Sequence, residues 1–453
     1  MESMTRYVME PMAETFRGTS VRSVEGAHME VKGDNSETGT WKESIRFRFE
    51  DWGWVVINIG MGIGAGIAML PVEIGMKGFW VFMLAAVIGY PSMYLFQRVF
   101  VNSLVEARSC RDYTGIISEY LGKNWGAGIG FLYFLMLIIW YFVYSETVIR
   151  DSASYLQTFG VTASNLSVDP LYIIGVISVL TFIAAIGEKL LFRLSSVLAL
   201  TVLTIILLMG FAMIPEWSAK NIAVAPGAVT FFTDAIVMLP FVLTSILFIQ
   251  SLSPMVIFFR QNSDSQKAAR FRSLRAMNLA FGILFVVVFF YANSFNLAIS
   301  QGQATEAFTE NVSALAIAAQ GAKHVYVSVL AVLLDLFAVT CCFFSVFLGL
   351  KEGTRGLVLN FLKRFGAEDR INKRLLDWII AVSLVLVATG NTLMEIKLLY
   401  FTWICSPIFG IVGCFVPVYL VYRLPQLHKY KGPHLYLIVF VGILLCLSPF
   451  LAI

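Results

Sequence analysis

Three observations predict an all-α membrane protein that crosses the bilayer eleven times. Hydrophobic residues make up 58% of the 453 positions and charged residues only 14%, with a mean hydropathy of +0.78. That is more apolar surface than a soluble core can hide. Apolar runs long enough to cross about 30 Å of hydrocarbon as helix recur at 52–75, 78–100, 125–149, 170–186, 194–214, 234–259, 276–299, 324–350, 375–391, 395–420 and 434–452. The cations then sort by side: 28 of the 33 Lys and Arg fall in or beside alternate inter-span segments, and only Lys77, Arg150, Lys220, Lys323 and Lys397 fall in the others. A missed or invented span would scramble that alternation, and the positive-inside rule places the N-terminus in the cytoplasm and the C-terminus outside.

In chain order, residues 1–51 contain no apolar h-region, so no cleaved signal peptide is expected. Segment 1–41 reads as a tail, and Trp41 to Phe49 as a flanking loop anchored by Trp and Arg, with an interfacial helix as the other reading. Span one is interrupted at Gly60-Met61-Gly62-Ile63-Gly64-Ala65-Gly66. Hydrocarbon tolerates such an interruption only where the freed backbone groups are buried or line a cavity. A half-helix starting there offers unpaired N–H groups and a positive dipole end, a socket for a carboxylate, and glycine lets the ligand approach closely. Close helix packing through Gly62-x-x-x-Gly66 is the other explanation.

Span three carries Tyr133, Trp140, Tyr141 and Tyr144, of which Tyr144 is the candidate pocket wall and the rest read as packing or interfacial belt. Span six is interrupted at Phe248-Ile249-Gln250-Ser251-Leu252-Ser253-Pro254. Pro254 removes a donor and clashes with the preceding turn. A break here frees carbonyls for an ammonium group, Gln250, Ser251 and Ser253 can bind a small polar side chain, and Phe248 can close the pocket. A proline kink with serines bonded to their own helix is the alternative. Paired interruptions five spans apart point to a central binding site of the kind transporters use.

Span eight carries Asp335 at its centre, where an ionisable group is costly and functional by default. It is the candidate ion-coupling residue. Glu73, Glu146 and Asp234 read as solvated gate or rim groups near the external ends of spans one, three and six. Lys351 to Arg374 is the largest internal loop and resembles no separate domain. The six cysteines contain no C-x-x-C pair, the four histidines lack metal-ligand spacing, and H-E-x-x-H, P-loop, G-x-S-x-G and DFG-like runs are absent, which disfavours an intramembrane hydrolase or an ATP-driven pump. With a net charge of +4 and no basic stripe interleaved with aromatics, nucleic acid is not an expected partner. No cofactor, metal or obligate protein partner is indicated; the lipid bilayer and a small molecule are.

The run Ile59 to Ile67 followed by Pro71, together with Gly89-Tyr90-Pro91, Leu121-Gly122-Lys123, Ser253-Pro254 and Ser406-Pro407-Ile408, closely resembles the hydroxy and aromatic amino-acid permease family from about residue 42 onward. Within it, Tyr94 to Arg98, Leu243 to Gln250 and Leu445 to Ala452 are most similar to bacterial serine and threonine transporters. The resemblance implies a leucine-transporter-like fold, with inverted five-helix repeats at 52–214 and 215–420 and an eleventh helix in 421–453. It also implies a bacterial inner-membrane location and import of serine, threonine or a cysteine-like amino acid by proton symport. The carboxylate would lie on the backbone of Ile63, Gly64, Ala65 and Gly66, beside Gly62, and the amine and side chain on Phe248 to Ser253. Some related proton-coupled carriers hold a lysine in span five, whereas Val202 stands at the position where one is expected here. Sodium coupling, an aromatic amino acid as substrate, and a non-transporting amino-acid receptor are the competing readings.

Overall fold

The computed structural model describes residues 41–63, 65–107, 117, 119–186, 188–222, 226–310, 312–313, 325–363 and 373–452. All eleven expected spans are helical. Span one is two helices, α1 (Phe49–Gly62) and α2 (Ala65–Lys77), and Gly78, at φ 100°, makes the tight turn into α3 (Phe79–Glu106). Then come α4 (Lys123–Thr158), α5 (Pro170–Ile186) and α6 (Glu188–Ala212). Span six is again a pair, α7 (Ala228–Thr244) and α8 (Ile249–Gln261), followed by α9 (Gln266–Ala298). A short α10 (Gln301–Glu310) precedes α11 (Val325–Lys363) and α12 (Lys373–Leu393). Span ten is α13 (Leu398–Ile408), a π-helical turn (Phe409–Phe415) and α14 (Val416–Arg423), and α15 (His434–Ala452) closes the chain. Among the described residues, eight helices are long and apolar enough to cross a membrane unaided. The other three spans are the two broken ones and the 17-residue α5.

Two groups of helices organise the molecule. The broken pairs α1/α2 and α7/α8 pack with α3 and α9, while α4, α5, α11 and α12 pack on one another. Helix α6 lies against α1, α9 and α11, and α15 packs on α7, α13 and the π turn. Small residues allow the closest approaches: a Cβ on Gly410 would lie 2.8 Å from the Gly442 carbonyl oxygen, and one on Gly442 would lie 2.6 Å from the Phe415 ring. Ser406 Oγ also donates to the Leu445 carbonyl at 2.8 Å, fixing α15 against span ten.

The cationic ends form a network around the start of α1. The fully buried Asp51 accepts from Arg272 Nε at 2.9 Å and Nη2 at 2.8 Å, from Arg275 Nη2 at 2.6 Å and from the Arg48 N–H at 3.0 Å. Arg272 is itself fully buried and stacks over Phe259. At the same end, Arg260 donates to the Val105 and Ala107 carbonyls, Arg270 to Asn102, and Tyr430 to Glu106 at 2.7 Å. Burial and the Glu106 carboxylate hold the Tyr430 phenol above its usual range. Four helices of one group, α1, α3, α8 and α9, are thereby welded at one end.

Three expectations change. Segment 41–44 is a helical turn, and Trp41 and Phe47 beyond it pack on Phe271 and Arg275 of α9, which explains why aromatics and cations alternate there. The segment expected as a loop from Lys351 is helical as far as Lys363, because Leu357, Val358, Phe361 and Leu362 sustain the helical apolar pattern of α11; residues 364–372 of the expected loop lie outside the described residues. Helix α10 was not expected. Its signal is a capping box at Ser300 and Gln303, in which the Ser300 N–H donates to Gln303 Oε1 at 3.0 Å and the Gln303 N–H to Ser300 Oγ at 3.4 Å.

Candidate functional site

The two helix breaks meet. Helix α1 ends at Gly62, where a Cβ would lie 3.6 Å from the Phe248 ring of the second break and 2.6 Å from Leu284 of α9. Ile63 leaves the helix with φ −88° and ψ 101°, its N–H still bonded to the Ile59 carbonyl at 3.1 Å. Its own carbonyl, freed by the break, accepts from the buried Cys342 thiol of α11 at 3.1 Å. Helix α2 then begins at Ala65, so the backbone N–H groups of Ala65 and Gly66 lie in its first turn, where an anion is favoured. Gly64 lies outside the described residues.

The second break falls at 245–248, upstream of the expected position. Pro254 sits inside α8, and the interruption follows Thr244 and Ser245, whose hydroxyls turn back on the end of α7. Thr244 Oγ1 donates to the Pro240 carbonyl at 2.8 Å and Ser245 Oγ to the Val242 carbonyl at 2.7 Å, while the Ser245 N–H reaches Phe241 at 3.0 Å. These groups satisfy α7 locally, so the helix can stop without a proline. Phe248 is fully buried and its carbonyl takes the Ser251 N–H at 3.1 Å. Tyr90 of α3, from the Gly89-Tyr90-Pro91 motif, comes within 3.5 Å of Ser245 Oγ. It is a neighbour of the break that the motif marked without assigning a role.

The site hydroxyls divide. Ser251 Oγ lies 2.7 Å from Asn58 Oδ1 and 2.8 Å from the Phe248 carbonyl, and Asn58 Nδ2 reaches Met255 at 3.3 Å, so Ser251 ties α8 to α1. Ser253 is buried and its hydroxyl has no hydrogen-bond partner among the described residues. An unpaired buried hydroxyl costs about 1–3 kcal/mol and asks for a ligand. Tyr144 is buried on α4 and stacks on Trp140 at 5.7 Å, which in turn meets Phe409 of the π turn at 6.3 Å. The side chain of Gln250 lies outside the described residues. So does that of Asp335, whose backbone sits in α11. Val202 is buried on α6.

The acidic residues read as solvated depart from expectation. Asp234 keeps a partly exposed side chain, but Glu73 and Glu146 are fully buried. Glu146 pairs with Arg150 one turn on in α4, and Glu73 lies under α2 where α7 and α10 pack. A small cavity also adjoins the second break, lined by Ser92, Phe96, Leu247 and Phe409 among others. It is no zwitterion site, since its hydroxyls, Ser92 and Thr244, already donate to their own helices and the rest of its wall is apolar.

Two discontinuous helices meeting at their breaks, inside a four-helix group set against a second, define a multi-span membrane protein of the leucine-transporter-like fold. Solved structures of this fold superpose over most of the chain. MhsT in complex with L-phenylalanine matches 88% of this chain and 96% of its own with a TM-score of 0.56 at 13% identity. The nucleobase-cation-symport-1 family transporter MHP1, in a closed conformation with bromovinylhydantoin bound, matches 88% and 90% with a TM-score of 0.55 at 13% identity. No family model matches the chain. The Serine transporter of Escherichia coli O157:H7 is 52% identical over 415 residues, covering 91% of this chain and 94% of the relative. The Threonine/serine transporter TdcC of Yersinia enterocolitica is 24% identical, covering 90% and 95%. The chain belongs to the serine transporter family, within the hydroxy and aromatic amino-acid permeases, and is a multi-pass membrane transporter, not an enzyme.

Proposed function

We propose that this chain imports L-serine, or a similarly small hydroxy amino acid, by proton symport across the bacterial inner membrane, with its N-terminus cytoplasmic and its C-terminus periplasmic. The observation that carries the reading is the meeting of the two helix breaks at Gly62 and Phe248 in a chain 52% identical to a serine transporter. The substrate carboxylate sits on the N–H groups of Ala65 and Gly66 that open α2, not on that of Ile63 as expected, which the Ile59 carbonyl already holds, and its ammonium group faces the carbonyls at 244–247 where α7 stops. Ser253, buried without a hydrogen-bond partner among the described residues, supplies the bond to the substrate hydroxyl. Gln250 and Tyr144 complete the pocket wall, and Phe248 closes over it. Repeats at 52–214 and 215–420 then rock around this fixed site, with 421–453 as an added helix.

Proton rather than sodium coupling is supported at the first break. A sodium site in such folds uses carbonyls at half-helix C-terminal ends, and the Ile63 carbonyl at the end of α1 is engaged by the Cys342 thiol. Asp335 in α11 is the proposed proton carrier. Radiolabelled serine uptake into proteoliposomes tests the whole reading, under a proton gradient and then a sodium gradient, with Asp335→Asn alongside. Proton-driven accumulation that Asp335→Asn abolishes is the expected result. Uptake driven by sodium alone, or competition by tryptophan but not threonine, overturns it.

A further inference from the structure

Two carboxylates and one ammonium group meet where the outer halves of the two broken spans lie together. Lys77, at the end of α2, places Nζ 2.8 Å from Asp234 Oδ1 of α7 and 3.7 Å from Glu73 Oε1, one turn back on its own helix. The two carboxylates are not equivalent. The Asp234 side chain is 23% exposed and so keeps part of its hydration, whereas that of Glu73 has no exposure at all. Neither Glu73 oxygen accepts a hydrogen bond among the described residues. An ionised carboxylate held out of water without donors is strongly penalised, and the protonated acid far less so. Lys77 relieves this only in part, because its short bond goes to Asp234 and it stands 3.7 Å from Glu73.

Among the described residues, Lys77 is the one cation within ion-pair distance of Glu73. Against α2, the α10 carboxylates Glu306 and Glu310 are exposed, Glu146 of α4 is paired with Arg150, and Tyr90 of α3 and Tyr291 of α9 bring phenols. Asp335 of α11 has its side chain outside the described residues. Met76 and Gly75 are held by α10, through Gln301 Nε2 on the Met76 carbonyl at 3.1 Å and the contact of Gly75 with Ala304, and the Glu73 side chain beneath them has no exposure.

We propose that Glu73 binds a proton when α2 and α7 are drawn together as they are here. When the outer halves separate, Lys77 leaves Asp234 for Glu73, its neighbour at i−4 on the same helix face. Glu73 is then ionised and Asp234 is solvated. As the halves close, Lys77 passes to Asp234 and the Glu73 carboxylate takes one proton from the external solution, so the triad gives up one negative charge as it is buried. Closure over the substrate therefore requires a proton at a position distinct from Asp335. This rests on the reading of the chain as a proton-driven serine importer.

The test uses the full-length protein. In weakly buffered detergent solution with a pH indicator, serine binding is expected to draw in a proton in the wild type and none in Glu73→Gln. In proteoliposomes, wild-type uptake is expected to fall about tenfold per unit rise in external pH above the titration of the group, and the Glu73→Gln profile to be flat. Lys77→Gln, which keeps both carboxylates and removes the cation that ionises Glu73, is expected to move the wild-type profile to more alkaline pH, and it decides the matter should Glu73→Gln fail to fold. A wild-type pH profile in both variants overturns the proton site while leaving the symport reading intact. Absence of proton-driven serine uptake in the wild type overturns both.

Discussion

Replacing Asp51 by Asn removes one charge from the weld at the start of α1 and leaves its shape. Asp51 takes three bonds from Arg272 and Arg275, and Arg272 is fully buried. The remaining carboxylate near Arg272 is Glu50, at 3.4 Å and half-exposed. Breaking a buried pair by removing one partner costs about 3–5 kcal/mol, because the other charge stays behind without compensation. Glu50 can swing inward to recover part of this, so we expect about 3 kcal/mol, equivalent to roughly two orders of magnitude in the folding equilibrium. Glu50→Gln, at the exposed position, should cost under about 1 kcal/mol. Replacing Asp51 and Arg272 together by apolar residues of similar volume should cost less than Asp51→Asn alone, since no fully buried charge is then stranded and Arg275, which also loses Asp51, is partly exposed. Equilibrium unfolding in mixed SDS micelles measures all three, with Trp54 as a reporter, buried one turn along α1 and packed on Phe258 at 5.8 Å. The reasoning fails if Asp51→Asn costs no more than Glu50→Gln, or if the double replacement is the most damaging of the three.

The serines of the second break should separate by assay. Ser253→Ala removes an unpartnered buried hydroxyl, so stability should hold or rise by up to about 1 kcal/mol while the KM for serine rises about tenfold. Ser251→Ala breaks the tie to Asn58 and should lower stability by about 1 kcal/mol; the opposite assignment of effects would refute the proposed division. Gly442→Ala would push a Cβ to 2.6 Å from Phe415 and 2.9 Å from Cys414. It should cost about 1–3 kcal/mol by overpacking and loosen α15 from span ten, seen as faster hydrogen exchange in 434–452; wild-type exchange there would count against the contact.

How far the sequence reaches depends on how local the cause is. The eleven spans were legible because the length of an apolar run is a property of consecutive residues, and the cation alternation checked the count. The first break was legible because Gly62, Gly64 and Gly66 lie together. The second was found but misplaced, because Pro254 is conspicuous while the hydroxyls of Thr244 and Ser245, which end α7, look like ordinary span residues. The burial of Glu73 was invisible, since it is produced by α7 and α10, remote in sequence. The pairing of Asp51 with Arg272, 221 residues apart, was hidden for the same reason. Cys342 had no signal at all, because a buried thiol capping the Ile63 carbonyl reads as one more small apolar residue.

The wide turn at Phe409–Phe415 has a rotational consequence. A π-helical turn carries one residue more than the α-helical phase allows, and each residue in an α-helix advances about 100° around the axis. Everything beyond Phe415 is therefore set about 100° from the azimuth an unbroken helix would give it. The upper part of span ten, anchored where Lys397 donates to the Thr309 carbonyl of α10, and the lower part, ending at Arg423, present their side chains in two different frames. An inserted residue achieves this offset, which no exchange of side chains along a regular helix can reproduce.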